Sequence, residues 1–302
     1  MSQTRIYWLH TLSPTHVGVG RGMGYIDLPI DRDGITNWPI IRASAFKGVW
    51  ADYFKANEEN RKNDPHLRAA FGISGAENDS NSGSLIPTDA KLVCLPVRSF
   101  RGTFAWVTSP LCLQMVRRTL ELSGAQQLPE APAKLEDGKA HYADAADSAL
   151  KDDAGNIYLE DLDFKAQACD TVKAWAEKIA TWVFTNDTAW QTEFKKRFVV
   201  IPNDAFDFLC ETGTEVHTRV KIEDETKVVA EGALWTEESL PAESFLMGII
   251  QCERVFQKEA NGIKPDELVT RFATDRLHLQ MGGKATVGRG QVHCSFTQVK
   301  GA

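Results

Sequence analysis

The apolar residues of this 302-residue chain change period along its length, and that alternation limits the folds open to it. Residues 5–12 (RIYWLHTL) are rich in β-branched and aromatic side chains and predict a first strand. Ser44 has the chemistry of an N-cap, and Phe46, Val49, Trp50, Tyr53 and Phe54 follow at helical spacing. Strand-like residues return at 85–97, and Ser109-Pro110 opens a second helix with Leu113, Val116 and Leu120 on one face and Gly124 as its stop. Residues 125–156 are rich in Ala, Asp, Glu and Lys with little periodicity and predict a surface insertion. Residues 157–164 (IYLEDLDF) predict a strand, 171–183 a helix, 198–201 a short strand, and Asn203-Asp204 the cap of a helix through Cys210. The stretch 215–222 alternates and can pair with 227–234 across a Glu-Asp-Glu-Thr turn, a projecting β-hairpin within about 213–240. Helical residues from 265 to about 279 lead into a final glycine-rich strand, 282–296. Strand, helix, strands, helix, strand, with no internal repeat, is the order of an α+β fold of ferredoxin-like type carrying long insertions, within one domain spanning 1–302.

Charge narrows the function classes less than it first suggests. The net charge is −7, which opposes a uniformly phosphate-binding surface. Residues 1–124, however, hold 14 basic and 11 acidic side chains, a balance of +3, while the remainder hold 20 and 30, a balance of −10. Residues 282–302 carry three basic side chains and no acidic one, so a localised basic groove is permitted. The six cysteines (94, 112, 169, 210, 252 and 294) contain no CxxC pair and fit reduced thiols of a cytoplasmic protein. No apolar run approaches a membrane span, and the first 12 residues lack the pattern of a secretion signal.

Two glycine-rich segments stand out. In residues 16–24, Gly18 and Gly20 begin a dinucleotide-like spacing, but Met23 occupies the third glycine's place and no helix follows, so the segment is a loop. Residues 282–290 (GGKATVGRG) combine glycines, which let backbone approach phosphates closely, with the charges of Lys284 and Arg289; taken alone, a tight turn into an edge strand explains them equally well. The spacing is not that of a Walker loop.

A glycine-rich segment of this form, near the end of a chain that begins with strand, loop and helix, resembles the repeat-associated mysterious protein (RAMP) superfamily of CRISPR proteins. LSPTHVG (12–18), DLPIDRD (27–33), PIIRASAFKG (39–48), LPVRSFRGTFAWVTSP (95–110), LEDL (159–162), GALW (232–235) and EESLP (237–241) are similar to the backbone subunits of type III-B (Cmr) effectors. FAWVT (104–108) is the most specific part, and the likeness spans nearly the whole chain. Ala43 and Ala45 depart from the glycine or serine common in that family's loop.

The resemblance implies a ferredoxin-like palm that holds a guide (cr)RNA and a hairpin thumb that reaches over the guide–target duplex. It implies copies of the chain in a helical filament, and the other complex subunits as partners: a polymerase/cyclase-like large subunit, a small helical subunit and further RAMP subunits. It implies endoribonuclease cleavage of single-stranded target RNA at subunit-spaced intervals, with Asp27 as the required acid; without the resemblance Asp27 would pass for a solvated loop acid beside Asp31 and Asp33. An ordinary aspartate, with a pKa near ~3.9, is a weak base at neutral pH and suits holding a divalent cation, Mg2+ or Mn2+, or orienting the attacking 2′-hydroxyl. His16 is a second catalytic candidate, as a proton donor or phosphate ligand. Lys47, Arg42, Arg98 and Arg101 are candidate RNA contacts, with Gly282, Gly283, Lys284, Thr286, Gly288, Arg289 and Gly290 of the glycine segment. The remaining histidines (10, 66, 141, 217, 278 and 293) form no ligand spacing, so an all-protein metal cage is not expected. The alternatives are a non-catalytic guide scaffold, a guide-processing endonuclease of the same superfamily, and an unrelated small-molecule enzyme.

Overall fold

Tyr7 and Trp8, adjacent in the first strand, show how the molecule is layered. The structure is a computed structural model that describes residues 3–22, 24–74, 80–143, 148–223, 225, 229–257, 262–274 and 276–298. In β1 (Gln3–Thr11), Tyr7 stacks on Phe46 of α1 (Ala43–Tyr53), with ring centroids 4.2 Å apart and planes within 3°. Trp8 stacks on Trp182, 5.5 Å away, which belongs to a helix 170–183 much later in the chain. Successive side chains of a strand point to opposite faces, so these two helices cover opposite sides of β1. The strand is therefore buried on both faces from Arg5 to Thr11, which explains an unbroken hydrophobic run where a half-exposed strand would alternate.

In chain order, β1 and α1 are followed by β2 (Ala90–Arg98), β3 (Phe104–Thr108), α2 (Pro110–Leu122), β4 (Lys139–Tyr142), β5 (Asn156–Leu159) and β6 (Leu162–Ala168). Then come α3 (Asp170–Val183), β7 (Phe198–Val200), α4 (Asn203–Thr212), β8 (Glu215–Ile222), β9 (Val229–Ser239), β10 (Phe245–Cys252), α5 (Pro265–Phe272), β11 (Leu277–Gln280) and β12 (Gln291–Gln298). One mixed sheet runs in the order β11-β12-β1-β10-β2-β3-β7-β4-β6-β5, with β3/β7 and β4/β6 parallel and its other neighbours antiparallel. Two short strands, Ile40–Ile41 and Ile86–Pro87, flank β2 and β10. The expected α+β class, a ferredoxin-like palm with large insertions, is the architecture found. The hairpin β8–β9 forms a separate two-stranded sheet in which Arg219 faces Trp235 and Val220 faces Leu234. Part of its expected turn, Asp224 and Thr226, lies outside the described residues.

The local signals fared unevenly. Ser109 caps α2 by accepting from the Cys112 N–H at 3.2 Å, and Gly124 closes it with φ of 91°. By contrast, α1 begins at Ala43, ahead of Ser44, and Asp89 caps it from across the sheet by accepting the Ala43 N–H at 2.7 Å. Asn203 does not cap its own helix either; its side chain accepts from Leu111 N–H at 3.0 Å and ties α4 to α2. Residues 157–164 are two strands rather than one, reversing at Glu160, which adopts φ of 49°. Within the expected surface insertion, β4 joins the main sheet between β7 and β6 and buries Ala140 and Tyr142; Lys139 and His141 alternate with them, but four residues are too short a run to mark a strand among the polar residues around it. The last helix stops at Phe272, Leu277–Gln280 is a strand, and the glycine-rich segment is a loop linking β11 to β12, which starts only at Gln291.

Candidate nucleic-acid interface and cleavage site

Two adjacent glutamates anchor the base of the hairpin. Glu237 and Glu238 follow one another in β9, so their side chains leave the strand on opposite sides, and each is only 2% exposed. Glu237 accepts from Lys284 Nζ at 2.7 Å, Trp235 Nε1 at 2.7 Å and Arg219 Nε at 3.4 Å. Burial alone would raise its pKa, but the bonds from Lys284 and Trp235 and the charges of Lys284 and Arg219 outweigh it and hold the carboxyl at about 2. Glu238 accepts from Arg32 Nη2 at 2.6 Å, Thr214 Oγ1 at 2.8 Å and the Ile30 N–H at 3.0 Å. The hairpin is thus fastened to the glycine-rich loop on one side and to the 27–33 segment on the other.

That second fastening positions Asp27. Residue Leu28 forms a parallel bridge with Glu237, and the Leu28 N–H donates to the Thr236 carbonyl at 3.0 Å. Asp27 is exposed, yet its Oδ2 accepts from both the Thr236 N–H, at 2.7 Å, and the Thr236 hydroxyl, at 2.9 Å. The Thr236 backbone N–H, then its hydroxyl, hold the Asp27 carboxyl below the usual aspartate range, with a smaller contribution from the charge of Arg21. Asp27 is therefore ionised and a poor proton acceptor at neutral pH, with chemistry suited to an oxygen ligand or an orienting group.

Asp27 and Lys284, 257 positions apart in a 302-residue chain, line one cleft of about 380 Å³ together with Arg21, Gly22, Leu28, Leu234 and Trp235. Lys284 Nζ lies 5.9 Å from the centre of the Trp235 ring, a cation–π distance. Arg219, Lys284 and Arg21 give this region its positive side chains, while Val216, Val220, Ile222 and Leu234 leave exposed apolar surface on one side of the hairpin.

The other candidate residues divide. In the glycine loop, a Cβ on Gly282 (φ 76°) would collide with the His16 carbonyl, and one on Gly290 (φ 78°) with the Met281 carbonyl. These glycines serve close backbone packing. Gly283, Thr286 and Gly288 remain at the surface. Arg289 turns inward, is 6% exposed and donates to Ser239 Oγ at 2.6 Å, so its charge holds the hairpin base instead of facing a phosphate.

His16 is not among the residues lining the cleft. Its Nδ1 meets the Glu238 carbonyl at 2.6 Å; a carbonyl only accepts, so Nδ1 carries the proton. The ring lies over Gly18, where a Cβ would come within 2.6 Å of Nε2. The structure thus gives His16 a packing role between loop and hairpin.

Arg42 is committed to protein partners: Asp31 through two bonds of 2.7 and 3.0 Å, Asp89 at 3.3 Å and the Arg32 carbonyl at 3.1 Å. The Asp31 bonds raise its pKa. Lys47 lies on α1 away from the cleft, half-buried, with its pKa lowered first by burial and then by Arg61. Arg98 and Arg101 are exposed at the opposite end of the sheet beside acidic side chains; Arg101 shares a cleft with Asp152, Glu160, Asp161 and Asp163. The structure does not bring these four to Asp27. Sequence reasoning missed Thr236, Arg21 and the buried glutamates, although two consecutive acids in the apolar run ALWTEESL were a legible sign of buried carboxylates.

Among the described residues, no three His, Cys, Asp or Glu side chains are grouped to hold a metal ion. Asp27 offers a hard carboxylate oxygen of the kind Mg2+ or Mn2+ takes, as one ligand beside RNA oxygens and water. Among the described residues, no helix is long and apolar enough to cross a membrane.

Comparison with known proteins bears on this geometry. The sequence profile of the RAMP superfamily matches residues 8–293. The CRISPR system Cmr endoribonuclease Cmr4 of Pyrococcus furiosus is 32% identical over 293 residues, covering 96% of this chain and 95% of that protein. The solved structure of oligomeric Cmr4 from the same organism superposes with a TM-score of 0.73 at 26% identity, covering 99% of each chain. A chain of the type III-B Cmr-beta complex bound to cognate target RNA shares the fold, with a TM-score of 0.69 at 19% identity over 97% of this chain and 96% of that one.

Proposed function

The chain belongs to the RAMP superfamily, and on that premise we propose that it is the guide-RNA-binding backbone subunit of a type III-B CRISPR effector and cleaves the paired target RNA at the Asp27 cleft. The observation that carries the cleavage site is the convergence of the Asp27 carboxylate and the Lys284 ammonium on one cleft at the root of a projecting hairpin. Guide pairing supplies the sequence specificity, and the protein reads backbone and A-form shape. Neighbouring copies and the other subunits of the complex cover faces that need not be basic, which reconciles RNA binding with a net charge of −7.

Target RNA brings its own nucleophile, the 2′-hydroxyl, which gives its proton to water as it attacks the adjacent phosphorus; the bond to the 5′-oxygen breaks, that oxygen takes a proton from water, and the products are a 2′,3′-cyclic phosphate and a 5′-hydroxyl. A regular A-form strand does not align those atoms. The hairpin, with Val216, Val220 and Leu234 exposed on one side, reaches over the duplex and splays a nucleotide toward the cleft, which supplies the in-line geometry. Asp27 then orients the hydroxyl through its ionised carboxylate, and Lys284 and Arg21 bring positive charge to the phosphate. A divalent cation held by Asp27, Mg2+ or Mn2+, supplies further charge at that phosphate when bound.

In the reconstituted complex with an end-labelled, guide-matched RNA, Asp27→Ala is expected to slow cutting by about 10²–10⁴-fold and to leave target affinity unchanged. Evenly spaced products in native complex that vanish with chelator and return with Mg2+ or Mn2+ would support the cation. A product ladder that survives Asp27→Ala would mean that the chain is a guide scaffold and another subunit cuts.

A further inference from the structure

Asp27 sits on the surface just after a glycine-rich loop, so packing does not fix its side chain. Hydrogen bonds must, and they come from one residue. Every polar atom of Thr236 bonds within residues 25–28. Its N–H and hydroxyl reach Asp27 Oδ2 at 2.7 and 2.9 Å, its carbonyl accepts from Leu28 N–H at 3.0 Å, and its hydroxyl oxygen accepts from Asp27 N–H at 2.9 Å. The Tyr25 carbonyl lies 3.2 Å from the same hydroxyl. We propose that Thr236 is the positioning residue of the cleavage site: it fixes the Asp27 carboxylate in the cleft and makes the acid follow the hairpin. The inference rests on the reading of Asp27 given above.

The residue type suits the task. A hydroxyl can accept from the Asp27 backbone and donate to its carboxylate at once, which neither valine nor alanine can do. Threonine is also β-branched, as a strand position favours, and its χ1 is stiff. Both Thr236 donors fall on Oδ2, which leaves Oδ1 as the oxygen presented to RNA.

The neighbours make the arrangement a lever. Leu234 and Trp235, immediately before Thr236, line the cleft, while Glu237 and Glu238, immediately after, are pinned by Lys284 and Arg32. A duplex pressing on the outer hairpin therefore acts on a strand whose next residue holds the acid. Coupling of this kind lets seating of the target, rather than mere occupancy of the complex, set the carboxylate's final orientation.

The test compares Thr236→Val, Thr236→Ala and Thr236→Ser in the reconstituted complex, with Asp27→Ala as the control. The valine and alanine variants are expected to cut about tenfold more slowly in single turnover, the loss of hydrogen bonds to a charged group, with guide and target affinities unchanged. Serine is expected to restore the rate to within about twofold, since it keeps the hydroxyl. Native cutting by both valine and alanine variants, target binding lost in step with cutting, or failure of serine to restore the rate would each overturn the inference. If those results come with an Asp27→Ala complex that is inactive, only the role of Thr236 falls. Cutting that survives Asp27→Ala overturns the reading of the site and this inference with it.

Discussion

The layer around β1 and the cleft at the root of the hairpin are held together by different physics. Around β1, Tyr7, Trp8, Phe46, Trp50 and Trp106 are fully buried, and stacked or edge-on rings fill the space between sheet and helices. Such contacts are non-directional and numerous, and removing one leaves many. At the cleft the ties are few and directional: Lys284 to Glu237, Arg32 to Glu238, Arg289 to Ser239, Thr236 to Asp27. A packed layer tolerates a shifted atom by repacking, whereas the cleft places a carboxylate through a few bonds that either form or do not. The core therefore supplies stability and the hairpin base supplies geometry.

The contrast can be broken or sharpened by substitution. The largest loss of stability is expected from Trp106→Ala, which removes a fully buried ring and its bond to the Glu243 carbonyl; about 4 kcal/mol should appear in a denaturant melt, with cutting lost only as the fold is lost. Next is Gly282→Ala, whose Cβ would meet the His16 carbonyl and whose φ of 76° disfavours alanine. About 2 kcal/mol is expected, while Gly288→Ala, with φ of 78° but open space around it, should lose about 1 kcal/mol. Equal losses at the two glycines would show that backbone conformation, and not the close approach to His16, governs the loop.

Of the same order as the glycine changes is Glu237→Gln, expected to cost about 1–2 kcal/mol at neutral pH because it leaves Lys284 and Arg219 without their buried counter-charge. Its folded pKa of about 2 lies below the unfolded value of 4.5, so the carboxylate's contribution is complete above that value and fades as pH falls toward 2. The native and Glu237→Gln melts should therefore converge at low pH; a gap that stays constant down to pH 3 would mean that shape, and not charge, secures the hairpin base.

The legibility of the sequence follows the same division. The run RIYWLHTL announced a strand because hydrophobic pattern is a local property, and Ser109-Pro110 announced a helix start because its cap lies three residues away. Ser44 misled because the donor at the start of α1 is taken by Asp89, 46 positions on. The strand β4 was missed because its alternation lasts only four residues, too few to stand out within a long polar insertion.

At the site, the resemblance singled out Asp27 and the glycine segment, and folding places Asp27 with Lys284 in one cleft. Arg289 and His16 look like RNA-facing or catalytic groups by type, but the fold turns the first onto Ser239 and the second onto the Glu238 carbonyl. Residue chemistry and local periodicity are written along the chain, so the sequence by itself determined the α+β class, the hairpin and a short roster of polar candidates. Which of those candidates face one cleft depends on bonds between segments more than 200 positions apart, as between Thr236 and Asp27, 209 residues away. That choice belonged to the tertiary structure alone, because a hydrogen bond needs its donor within about 3 Å of its acceptor, and only the finished packing of sheet, loop and hairpin sets that distance.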